Sequence, residues 1–176
     1  MSSDPMKFGL AAKCMVLSFF VFSSFLIFGC CSISKASGEV CPRLGDIEDR
    51  EACWTGFAIA AKDAVGCLKI ETQQTKVGCF TGVAAVKKNS TVCTDYLDGA
   101  ESDSCVIGAA TTAKNEAMCA GAEDLAVRSA CPSMVEASIN GDEKACLKIE
   151  RVDLKTACVK GILEAKKAKD SAFNFG

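Results

Sequence analysis

Residues 67–105 read CLKIETQQTKVGCFTGVAAVKKNSTVCTDYLDGAESDSC, with cysteines at 67, 79, 93 and 105 separated by 12, 14 and 12 positions. The same alternation runs outward on both sides, so that from Cys41 the cysteines stand at 41, 53, 67, 79, 93, 105, 119, 131, 146 and 158. Only the step from Cys131 to Cys146 is longer than its counterparts, by one residue. The chain therefore carries an internal repeat of 26 residues, with five units beginning at Cys41, Cys67, Cys93, Cys119 and Cys146.

The units agree at more than their cysteines. Three residues past the first cysteine stand Leu44, Ile70, Tyr96, Ala122 and Ile149. Three before the second stand Arg50, Lys76, Ser102, Arg128 and Lys155, mostly basic, with Trp54, Phe80, Val106, Pro132 and Val159 just after it. Gly56, Gly82, Gly108 and Gly161 form a further column, which Met134 interrupts. From the second cysteine, apolar or small residues fall at offsets 0, 1, 4 and 5, as in Cys79, Phe80, Val83 and Ala84. That is the period of a helix and not the alternation of a strand. Polar pairs at Lys62-Asp63, Lys88-Asn89, Lys114-Asn115 and Asn140-Gly141 supply the stops and starts between helices.

The expected fold is all-α. A disulfide-stapled array, or short solenoid, of five helical hairpins occupies residues 36–165, each with a short helix, a turn and a longer helix. One hydrophobic N-terminal helix within 1–35 precedes it, and a basic, frayed tail, 166–176, follows. A glycine inside a helix costs nearly ~1 kcal/mol against alanine, so the glycine column is expected to mark close helix–helix contact rather than a binding surface. Pro132 is expected in the first turn of its helix, where a missing N–H is harmless.

Two pairings of the ten repeat cysteines are open. One closes each unit on itself, as Cys41–Cys53, Cys67–Cys79, Cys93–Cys105, Cys119–Cys131 and Cys146–Cys158; the other joins neighbours and strands Cys41 and Cys158. The first is favoured because it uses every cysteine and because the 12-residue interval never varies. A staple holds its own loop length more strictly than the gap to the next unit. Zinc and iron–sulfur sites want closely spaced pairs, and no pair in the repeats is closer than 12 positions. Lasting bridges belong to an oxidising compartment.

The N-terminal region points the same way. Cys14 to Ser34 is a run of 21 uncharged residues, with Lys7 and Lys13 before it and Lys35 after it. It has the length of a membrane span and also suits a signal peptide. Positive charge ahead of it predicts that residues 36 onward cross the membrane. Leu26 to Cys30 resembles a prokaryotic lipobox that would lipidate Cys30, although Phe28 replaces the usual small residue. Lipidation, an uncleaved anchor and release after cleavage all stay open. The expected address is extracytoplasmic and membrane-tethered through this segment, or alternatively secreted.

The rest of the composition narrows the chemistry. The 176 residues contain no histidine, which removes the commonest general base and metal ligand together. With a net charge of -2 and no basic stripe, a nucleic-acid partner has no electrostatic footing. No catalytic residue, metal ligand or cofactor is nominated. Trp54 and Tyr96 are expected in the core, and Asp95, Asp98, Glu101 and Asp103 on a solvated face. Asn89-Ser90-Thr91 is a glycosylation sequon on Asn89.

A basic residue three before a cysteine, then an aromatic, then a small apolar pair (Lys76, Cys79, Phe80, Val83, Ala84) resembles repeats of uncharacterised exported prokaryotic proteins, archaeal ones included. The resemblance covers residues 41 to about 165 and brings no active site with it. In general shape the array is also similar to short TPR-like or Sel1-like solenoids, without their longer period. The expected role is a non-catalytic interaction or structural module of the cell envelope, with a protein or envelope partner. The alternatives are a soluble extracellular ligand-binding scaffold and, third, an enzyme working through surface carboxylates.

Overall fold

The computed structural model describes residues 39–173. Six α-helices cover most of them: α1 (Ile47–Ala61), α2 (Gln73–Lys87), α3 (Thr91–Tyr96), α4 (Gly99–Ala113), α5 (Leu125–Asn140) and α6 (Val152–Phe173). Short 3-10 turns at Cys41–Arg43, Ala64–Lys69, Glu116–Gly121 and Ala145–Lys148 carry the first cysteine of the other four units, as α3 does in the third. The hydrophobic helix expected within 1–35 lies outside the described residues.

Each of the five long helices begins six residues before its second cysteine, and side-chain caps fix that start in α1 and α5. Asp46 accepts the Glu48 N–H at 2.7 Å ahead of α1, and Asp124 accepts from Ala126 at 2.7 Å ahead of α5. At the other end, α1, α2 and α4 stop at Lys62, Lys88 and Lys114, all left-handed, with φ of 52–54°. The next residue sends its N–H back to the helix: Asp63 to Ala58 O at 2.9 Å, Asn89 to Ala84 O at 3.0 Å and Asn115 to Ala110 O at 2.9 Å. The side chain of that same residue then opens the following short helix. Asp63 accepts from Val65 N, Asn89 from Thr91 N and Asn115 from Ala117 N. One polar residue thus ends one helix and starts the next, which keeps the turns short.

Within each unit the two helices are joined by a disulfide: Cys41–Cys53, Cys67–Cys79, Cys93–Cys105, Cys119–Cys131 and Cys146–Cys158. Their Cα atoms are 5.5–5.7 Å apart, the separation a bridge requires. Successive long helices pack side by side, most closely between α2 and α4 and most loosely between α5 and α6. The core follows this gradient. One cluster runs from Cys41 to Val135 through Phe80, Val83 and Val106, while the last hairpin has its own smaller cluster around Met134, Cys146 and Ile149.

Two buried carboxylates couple neighbouring hairpins. Glu51, 6% exposed, accepts the N–H groups of Glu71 and Thr72 at 2.9 and 2.7 Å. Asp103, also 6% exposed, accepts those of Glu123 and Asp124 at 2.7 and 3.2 Å. Both stand two residues before a second cysteine, where the other units have Val77, Ser129 and Thr156. The clamp therefore recurs at every second junction. The Thr72 N–H foremost holds the Glu51 carboxyl below its ordinary value of 4.5, against an opposing push from desolvation. A depressed carboxyl stabilises the fold above its unfolded pKa, and that contribution is lost as pH falls through the folded value. Thermal unfolding midpoints of the native chain are accordingly expected to drop on acidification below about pH 4.5. Glu51→Gln should flatten that part of the profile; an unchanged acid limb would remove the clamp from the account.

The glycine column divides along the array. A Cβ at Gly82 would lie 2.5 Å from Ile59 Cδ1, and one at Gly108 would lie 2.8 Å from Thr81 Cγ2. These two glycines let α2 approach α1 and α4 approach α2. Gly56 and Gly161, at the outer units, meet nothing within 4 Å. Gly56→Ala is therefore expected to raise stability by about 1 kcal/mol. Gly108→Ala must displace Thr81 and should gain nothing or lose; equal gains at both sites in chemical denaturation would contradict this division.

Several expectations need correction. Pro132 lies in the interior of α5, because Asp124 starts that helix well before Cys131. Tyr96 is 42% exposed, with one ring face stacked on Phe80 at 5.1 Å, since α3 presents its last residue to solvent. The basic stretch from Lys166 begins as part of α6, which continues to Phe173, and Lys166 pairs with Glu143 at 2.6 Å. The membrane-tethered address expected from residues 14–34 is also corrected. Among the described residues no helix is long and apolar enough to cross a membrane. The long helices all carry charged residues, as with Lys155, Lys160, Glu164 and Lys166 on α6. Residues 14–34, including Cys30, lie outside the described part of the chain.

Candidate functional site

The loose junction at the last hairpin opens a groove of about 500 Å³. Helices α4 and α6 form its walls, and Met134, only 7% exposed, lies beneath them on α5. Ile107 from α4 and Leu154, Gly161 and Ile162 from α6 supply much of the apolar surface, and Cys158 ties its wall to the Ala145–Lys148 turn. Met134 occupies the position that is glycine in the other four units, and its nearly buried side chain fills the floor of the groove where the column elsewhere has none. Gly161 keeps its glycine, but nothing fills the space beside it. A bulky residue where the column has glycine, followed by a glycine left uncovered, thus lines the groove from both sides.

No charged side chain lines this part of the groove. Two of its three hydroxyls are already committed: Thr111 Oγ1 donates to the Ile107 and Gly108 carbonyls at 2.8 and 3.0 Å, and Ser138 Oγ donates to Thr111 O at 3.4 Å. The groove offers apolar contact rather than acid–base chemistry. Ile107 and Leu154 also bridge the two core clusters, so the floor is continuous with the packed interior.

The residues singled out in the sequence are dispersed. Trp54 is 9% exposed in the first hairpin, edge-on to Phe57 at 5.9 Å. Of the supposed solvated acidic face, Asp103 turns inward as a clamp, whereas Asp95, Asp98 and Glu101 stay exposed and Glu101 accepts a hydrogen bond from Gln73 Nε2 at 2.5 Å. Asn89 is exposed, and its Oδ1 is engaged by the Thr91 N–H. Among the described residues no group of three or more metal-ligating side chains could hold an ion. The groove residues were not singled out as a site. The signal that marked them was present in Met134, the one break in the glycine column. No family model, curated protein or solved structure matches the chain.

Proposed function

We propose that this array is a non-catalytic ligand-binding scaffold that takes an apolar ligand in the groove between α4 and α6. The groove's uncharged lining, at a volume in the usual range for small-molecule sites, carries the reading. The staples support it by fixing both walls before a ligand arrives, which lowers the ordering cost of binding. Five bridges in so short a chain suit an oxidising compartment.

Titration with N-phenylnaphthylamine, a neutral probe that brightens in apolar surroundings, tests the reading. One saturable site of micromolar affinity is expected. Gly161→Leu puts a good helix former into the groove and should weaken binding at least about tenfold. Gly56→Leu, at the opposite end of the array, should leave binding intact. No saturable binding, or equal binding by the two variants, would count against the groove.

A further inference from the structure

The apolar groove does not end at Ile107 and Leu154. It continues between the N-terminal halves of α4 and α6 into a second hollow of about 410 Å³, which shares Ser104, Ile107 and Leu154 with the first. The chemistry changes across that boundary. The far end is lined by Asp103, Glu123, Asp124 and Arg151, three carboxylates against one guanidinium.

The one cationic side chain there is already held by carboxylates. Arg151 already holds Asp124 at 2.8 Å and Asp153 at 2.9 Å. Four backbone N–H groups at the start of α5 are taken as well. Asp103 accepts from Glu123 and Asp124, and Asp124 accepts from Ala126 and Val127. Glu123 remains: its carboxylate is exposed and makes no side-chain hydrogen bond or ion pair among the described residues. Charge complementarity at this end favours a cation.

Resting on the ligand-binding reading above, we propose that the natural occupant is an amphiphile with one aliphatic chain and one ammonium head. The chain lies over Met134 between Ile107 and Ile162, and the head sits beside Glu123.

Displacement of bound N-phenylnaphthylamine by dodecylammonium, dodecanol and dodecanoate, each below its micellar concentration, separates the two readings. Dodecylammonium is expected to bind about tenfold tighter than dodecanol, as one charge-assisted contact would give, and dodecanoate weakest. Glu123→Gln should bring the amine to the affinity of the alcohol and leave the alcohol unchanged; high salt should act in the same direction. Equal affinities for the three compounds, or a tighter carboxylate, would overturn the head-group assignment while the apolar groove stands. An amine that binds Gly161→Leu as tightly as the native chain would overturn it too, by placing the amine outside the groove. Failure of all three to displace the probe would overturn the amphiphile assignment, while absence of saturable probe binding would remove the groove reading beneath it.

Discussion

Phe80→Ala is expected to cost about 4 kcal/mol of unfolding free energy, the largest loss from any single side chain in the array. Phe80 is fully buried, next to the Cys67–Cys79 bridge on α2, the helix that packs against both α1 and α4. Its ring also stacks on Tyr96 with an interplanar angle of 13°, which ties the second hairpin to the third. Truncation removes the transfer energy of the ring, leaves a cavity in a packed interior, and exposes the buried face of Tyr96. The walls cannot collapse to fill that cavity, because disulfides hold the helices on either side. Thermal unfolding by circular dichroism should show the midpoint lowered by more than about 10 °C. Phe57→Ala, at a half-buried site in the first hairpin, should cost clearly less. A Phe80 variant no less stable than the Phe57 variant would mean that the core is not continuous through α2.

Removing a bridge tests a different contribution. Each staple closes a loop of the same length, so chain entropy alone predicts about 3 kcal/mol for every pair. The packing predicts unequal consequences. Cys93→Ala with Cys105→Ala loosens the middle hairpin, whose long helix α4 packs on both α2 and α5. The whole array should then unfold at a lower temperature in one transition. Cys146→Ala with Cys158→Ala loosens the last hairpin, which has its own small cluster and the weakest junction. That variant should melt in two steps. Trp54 is the only tryptophan and lies in the first hairpin, so its emission reports that end alone. Its transition should hardly move in the terminal variant and should shift in the central one. Identical shifts of Trp54 emission in both variants would show a single cooperative body and remove the distinction between the clusters.

Much of this architecture was legible in the amino-acid order. Cysteine spacing of 12 set the loop that each bridge closes, because a bridge tolerates only a narrow Cα separation. The period of Cys79, Phe80, Val83 and Ala84 marked a helix with one buried face, and all four are buried. The stops at Lys62, Lys88 and Lys114 were marked by polar pairs, though the left-handed backbone of the lysines was not, since lysine has no particular preference for that conformation. Pro132 misled because the helix start was inferred from proline itself, whereas the Asp124 cap sets it.

The candidate site depended on what the repeat leaves out. Composition and periodicity averaged over five units cannot say which junction is loose. That is decided once the helices are laid side by side: Gly82 and Gly108 meet side chains of the preceding long helix, whereas nothing lies within 4 Å of a Cβ at Gly161 at the loose junction. Nor could order alone distinguish Asp103, buried and holding two N–H groups of the next hairpin, from its exposed neighbours Asp98 and Glu101. Local forces within about a dozen residues, namely capping, helical period and loop closure, were readable from the sequence itself. The groove between α4 and α6 joins residues some fifty positions apart, as with Ile107 and Leu154, and exists only where the packing of three hairpins fails to close. The sequence by itself determined the staples and the helices; the tertiary structure alone decided where they leave room for a ligand.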